Sequence, residues 1–176
     1  LNNITFDKYR LVYITAVYYA NCLLHQHSPM ETVTVRPPAT IAKEFNQVVR
    51  DLLNKIERHS RSDEELANLD RLKKRIALLK STMGEQSLVE GSSSFFIATS
   101  EHIINRNEQF FTSADARGEY VKYTQANISK QVEFIFSLIE SIKSYYNKSS
   151  QKNKDDMYAD VKSLFNNCIE YQIATT

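Results

Sequence analysis

Only three glycines and three prolines punctuate 176 residues, and two of the prolines are the adjacent pair Pro37-Pro38. A β-sandwich or barrel reverses direction at short intervals and needs glycine, proline and their turn partners to do so. This chain cannot supply them, so the expectation is an all-α protein: a single bundle of about six helices, including a long fifth helix. Hydrophobic residues make up 42% and charged residues 24% of the sequence, ordinary values for a folding chain. The length suits one helical domain over 1–176.

Apolar spacing places the helices. The first runs from Thr5 or Asp7, which can cap it, to about His27, where Ser28-Pro29 ends it. It is apolar on two faces. Tyr9, Val12, Tyr13, Ala16, Val17, Ala20, Leu23 and Leu24 form one stripe, and Leu11, Ile14 and Tyr18 form a second. Such a helix is central in its bundle or buried against another copy. Met30–Arg36 alternates like a strand but has no partner strand and reads as extended loop. A second helix over about Ala39–His59 turns Ile41, Phe45, Val48, Leu52 and Ile56 inward. The third opens on a capping box, Ser62 with Glu65, and stops at Gly84. Leu69, Leu72, Ile76, Leu79 and Met83 form its seam, which pairs it with the second helix as an antiparallel hairpin.

The serine-rich stretch 85–94, with Gly91, reads as the main internal loop. A fourth helix follows over about Phe95–Phe111, and the fifth over Ala114–Lys148 would be roughly 50 Å long if continuous. Gly118 is a candidate break near its start. Its seam Ile128, Val132, Ile135, Ile139, Ile142 and Tyr146 is widened by Phe134, Phe136 and Leu138. Residues 149–156 (SSQKNKDD) read as a solvated connector, and a last helix over about Lys154–Tyr171 turns Tyr158, Val161, Leu164, Phe165 and Cys168 inward. No repeat of fixed period runs through the chain.

Charge excludes some functions and leaves others open. The formal net charge is +1, too small for whole-molecule attraction to a polyanion. Residues 36–80 nevertheless hold eleven Lys or Arg against seven Asp or Glu, and 85–142 hold four against eight. Arg50, Lys55, Arg58 and Arg61 on the second helix, with Arg71, Lys74, Arg75 and Lys80 on the third, form a basic edge suited to nucleic-acid phosphates. Asp63, Glu64, Glu65 and Asp70 interrupt it. Tyr145 and Tyr146 with Lys143, Lys148 and Lys152 form a second stacking-and-phosphate surface.

Cys22, His25 and His27, with Cys168 as a fourth ligand, are the one grouping that resembles a metal site. His27 falls off the face shared by Cys22 and His25, so a buried thiol with two helix-end histidines explains the pattern more simply. The two cysteines are too few for a disulfide scaffold, although one bridge from first to last helix is compatible with their positions. Three sequons match the number chance gives for thirteen Asn and twenty-eight Ser plus Thr. No G-x-S-x-G elbow and no glycine-rich phosphate loop occurs, so neither enzymatic activity nor a cofactor is expected.

The apolar run Tyr9–Leu24 is about 16 residues and falls short of the roughly 20 that span a bilayer, so no membrane span is expected and a cytoplasmic location is. A leading Leu1 marks the chain as processed or cut from something longer. Abundant Asn, Ile, Lys and Tyr fit an AT-rich genome, viral, parasitic or bacterial. The reading that remains is a structural or protein-interaction module that self-associates or docks on a larger assembly, through Leu11, Ile14, Tyr18, Phe134, Phe136, Leu138 and Tyr145. Nucleic-acid binding by the basic edge is the alternative.

Overall fold

The paired prolines open the first described helix. Pro37, with φ −56° and ψ 139°, stands at the N-cap, and Pro38 begins α1 (Pro38–His59), where a missing N–H costs nothing. A computed structural model describes residues 35–113, 115–124 and 130–176. Among them the chain is all-helical, in eight helices with no strand. After α1 come α2 (Asp63–Met83), α3 (Ser87–Ala98), α4 (Ser100–Ile104), α5 (Glu108–Thr112), α6 (Ala116–Thr124), α7 (Lys130–Asn147) and α8 (Gln151–Thr175). The first helix of the sequence reading, with Leu11, Ile14, Tyr18, Cys22, His25 and His27, lies outside the described residues.

The caps between α1 and α2 form as expected, but the pairing does not: α2 packs chiefly on α3 and α7 and meets α1 only sparsely, so its apolar seam is not the seam of an antiparallel hairpin with α1. Ser62 Oγ accepts the Glu65 N–H at 3.2 Å, and Gly84 leaves α2 at φ 91°, a conformation that glycine adopts without steric cost. The reciprocal half of the capping box is displaced by one residue: Glu65 Oε2 accepts from the N–H of Arg61 at 3.4 Å. In α1 the stripe is Ile41, Phe45, Val49, Leu52 and Ile56, so Val49 rather than Val48 is fully buried. In α2 only Leu69, Leu72 and Leu79 are buried, and Met83 at the end of the expected seam is 47% exposed. This helix lies at the edge of the bundle.

The expected loop 85–94 is instead the most enclosed helix. Ser87, Leu88, Val89, Gly91, Ser92, Ser93, Phe95, Phe96 and Ala98 of α3 are all buried, with α1, α2, α6, α7 and α8 packed around them. Two of its serines survive burial because their hydroxyls bond their own helix, while Ser94 Oγ meets the Tyr120 hydroxyl at 3.2 Å and Ser87 Oγ is buried without a partner among the described residues. Ser92 Oγ donates to the Leu88 carbonyl at 2.7 Å and Ser93 Oγ to that of Val89 at 2.7 Å. With the hydroxyl satisfied one turn back, serine packs as a small residue and lets neighbouring helices approach.

Other boundaries also move. The expected fourth helix is cut into the end of α3, then α4 and α5. The cuts fall at Thr99 and at Asn105-Arg106-Asn107, where Arg106 adopts φ 47°. Asn107 Oδ1 accepts from the N–H groups of Gln109 and Phe110 and starts α5. The expected 50 Å helix is two elements, α6 and α7, with 125–129 outside the described residues. Asp115 accepts the Arg117 N–H at 3.1 Å at the start of α6, so Gly118 lies inside that helix and does not break it. The expected connector 149–156 is mostly the first turns of α8, capped by Ser150, whose Oγ accepts from the N–H of Asn153. Its polarity marks exposure to water rather than loss of helix.

Buried residues from α1 to α8 form one hydrophobic cluster. Phe134, Phe136 and Leu138, expected at an interface, belong to it at 0%, 4% and 0% exposure, and Tyr145 at 5%. Phe95 joins three helices at its centre: its ring meets Phe96 at 5.5 Å, Phe136 at 5.8 Å and Tyr120 at 6.4 Å. α1 packs chiefly along α8, and Arg36 fastens the start of that pair, its Nε donating to Glu170 at 2.9 Å and its Nη2 to Asn167 at 3.2 Å. No helix among the described residues is long and apolar enough to cross a membrane.

Candidate functional site

Where α2 leans against α7, the two helices run antiparallel: Glu65 meets Ser144 and Lys148, and Arg75 meets Ser137. α2 buries few apolar side chains, and a groove of ≈ 970 Å³ lies between the two helices. From Glu65 to Arg75 its α2 wall runs roughly 15 Å at the helical rise. Spacing decides what each wall carries. Asn68, Arg71 and Arg75 share one face of α2, and Ser137, Ser141 and Ser144 share the facing side of α7. Leu69, Leu72, Phe136 and Tyr145 lie in the base, Arg61 and Lys148 at one end, and Asp115 and Arg117 at the other.

The basic edge expected from the sequence divides into two populations. Lys55 is paired with Asp160 across to α8, Lys74 with Asp70 at 2.7 Å, and Lys80 with Glu85 at 2.8 Å. Arg50 and Arg58 are exposed on α1 and do not line the groove. Arg61, Arg71 and Arg75 do line it. Among the described residues these three form no ion pair: Arg71 meets Asn68 at 3.4 Å and Arg75 meets Ser137 at 3.4 Å, both long contacts to neutral groups. Three guanidiniums without a carboxylate therefore sit along one groove while the lysines of the same edge are neutralised.

Other cations of the groove are committed. Arg117 grips Glu133 with two bonds of 2.9 and 2.7 Å and holds that carboxyl below its usual value, with a smaller contribution from the charge of Arg75. Lys148 and Ser144 both donate to Glu65 and hold it down to about 2. A folded-state value below the unfolded carboxylate value of about 4.3 gives stability that is present above pH ~4.3 and lost as pH falls towards 2. The closure of this end of the groove is therefore expected to fail in acid. The denaturation midpoint should fall with pH over that window, and the fall should be shallower in Glu65→Gln. An equal slope in the variant would remove Glu65 from this role.

The remaining candidates do not assemble into a site. Tyr146 and Tyr145 are buried, and Lys143 is buried with its amine on Glu140 at 2.7 Å, so the second stacking surface is core. Cys168 is a free thiol, buried so completely that its pKa is pushed well up, with Sγ 3.9 Å from the Val89 carbonyl. His59 lies edge-on to Tyr145 at 5.1 Å, and His102 stacks on Phe110 at 4.8 Å. Among the described residues no group of three or more His, Cys, Asp or Glu is placed to hold a metal. Sequence reasoning missed Arg117 and the three serines of α7, and placed Lys148 on a different surface. Ser137, Ser141 and Ser144 interrupt an apolar stripe at helical spacing, and that polar face was the available signal. In comparison with known proteins, no family model, curated protein or solved structure matches the chain.

Proposed function

We propose that the chain is a non-enzymatic protein-interaction module that docks on a larger assembly by holding an extended anionic segment of a partner protein between α2 and α7. The observation that carries this is the set of three arginines, Arg61, Arg71 and Arg75, that form no ion pair among the described residues and face the serines of α7 across the groove. Arginine presents a planar fork of donors that suits carboxylate and phosphate oxygens, and serine hydroxyls supply further bonds along a backbone. Self-association, the other form of the module, now depends on Leu11, Ile14 and Tyr18 alone, because Phe134, Phe136, Leu138 and Tyr145 are occupied within the fold.

Nucleic-acid binding through the same arginines is the second reading, and it has less support. Asp115, Glu65 and Glu140 line the groove and oppose a continuous run of phosphates, and of its rings Phe136 and Tyr145 are too buried to stack on a base, leaving only His59 exposed at one end among the described residues. Fluorescence anisotropy separates the two readings, with an eight-residue Asp/Glu/Ser peptide and a single-stranded oligonucleotide as probes. Expected is peptide binding that weakens about tenfold or more in Arg71→Ala/Arg75→Ala, the loss that arginine anchors produce at interfaces. Oligonucleotide binding alone, falling steeply with salt, would replace this proposal with the second reading. Binding of neither probe rejects both.

A further inference from the structure

We infer that the Arg71–Arg75 end of the groove is a phosphomonoester site, so that the docked segment carries a phosphoserine or phosphothreonine. This rests on the docking reading above and narrows its ligand. Arg71 and Arg75 are one helical turn apart, which puts their Cβ atoms about 5–6 Å from each other on one wall. Neither forms an ion pair or hydrogen bond with a carboxylate among the described residues, and Arg75 acts on Glu133 only through its charge. From the opposite wall comes a hydroxyl: Ser137 Oγ already lies 3.4 Å from Arg75 Nη1, while Ser141, one turn later, donates its own hydroxyl to the Ser137 carbonyl at 3.0 Å. The bond of Ser137 to the Glu133 carbonyl is long, 3.4 Å, so its hydroxyl can turn toward a ligand at small cost.

Donors approaching from two sides fit a tetrahedral group. A carboxylate carries one charge in one plane, and a single guanidinium fork can engage both of its oxygens, as Arg117 engages Glu133 at 2.9 and 2.7 Å. A phosphomonoester presents three terminal oxygens and close to two charges at neutral pH, enough to engage both arginines and a hydroxyl together. Asp115 and Glu140 set the upper limit on charge. They line the same groove and disfavour a second phosphate beside the first, so an isolated phosphoryl group on a peptide is accepted where a polyphosphate chain is not.

The test uses the full chain and three synthetic peptides identical except at one central position, which is phosphoserine, glutamate or serine. Expected is at least tenfold tighter binding of the phosphoserine peptide than of the glutamate peptide. That preference should strengthen between pH ~5 and ~7.5 as the phosphate takes its second charge, whose pKa is about 6. It should collapse in Arg71→Lys/Arg75→Lys, which keeps the charge and removes the fork. Both arginines are exposed, and an unchanged far-ultraviolet circular dichroism melt verifies that the variant is folded. Equal binding of phosphoserine and glutamate peptides overturns the phosphoryl site and leaves the docking reading standing. A phosphoserine preference unaffected by the lysine variant, or lacking the pH dependence, overturns the site as placed. Failure of all three peptides overturns the docking reading as well.

Discussion

Replacing Phe95 with alanine is expected to destabilise the protein by about 3–5 kcal/mol, a large part of the roughly 5–15 kcal/mol that holds a domain of this size together. Phe95 is 0% exposed, and its ring is the point where α3, α6 and α7 meet, with Phe136 and Phe96 edge-on to it and Tyr120 stacked. Truncation removes the transfer free energy of the ring and leaves a cavity walled by three other aromatic side chains that cannot all collapse into it. Phe95→Leu refills most of that volume and should recover much of the loss. The measurement is the urea midpoint at unchanged slope, since a changed slope would report an altered end state rather than altered packing. A loss below about 1 kcal/mol for Phe95→Ala would mean that the aromatic cluster does not join these helices as described.

Ser92→Pro should be nearly as damaging, at about 3 kcal/mol or more, for a reason that concerns the backbone. The ring removes the residue's N–H from the helical ladder of α3 and presses on the Leu88 carbonyl, and it also deletes the hydroxyl bonded to that carbonyl at 2.7 Å. Ser92→Ala is the control. It removes the hydroxyl but leaves the helix intact, and its cost should stay within about 1 kcal/mol because the bond is local. In a solvated loop of serines both changes would be mild, as surface substitutions usually are. The difference between the two midpoints therefore reports directly whether 85–94 is buried helix.

What the sequence disclosed depended on whether the decisive physics was local. The caps at Ser62 and Gly84 and most of the faces of α1 and α8 follow from neighbours a few residues away and formed where the spacing put them, with Val49 in place of Val48 and Met157 ahead of the half-buried Tyr158. α3 was hidden because serine in isolation favours turns, and only burial by five surrounding helices makes back-bonding to Leu88 and Val89 the better outcome. Asn105 and Asn107 were a visible warning of a break, but the apolar stripe through Phe110 and Phe111 outweighed it in the reading. The groove was half legible. Arg61, Arg71 and Arg75 were identified by charge, but which cations stay unpaired is a tertiary fact: Asp160 lies 105 residues from the Lys55 that it neutralises.

The pairing of α1 with α8 also has a consequence in time. Arg36 and Glu170 are 134 positions apart, and α1 is complete at His59, so at a synthesis rate of about 5–20 residues per second it waits roughly 6–22 s before Glu170 is made. Over that interval the side of α1 that carries Ile41, Phe45 and Leu52 has no α8 to cover it. Helix formation takes about a microsecond and so never limits this wait; what α1 lacks throughout is the packing partner that stabilises it. The nascent chain therefore passes through a long, sticky adolescence, and its yield in a cell depends on what shelters that helix until the bundle can shut.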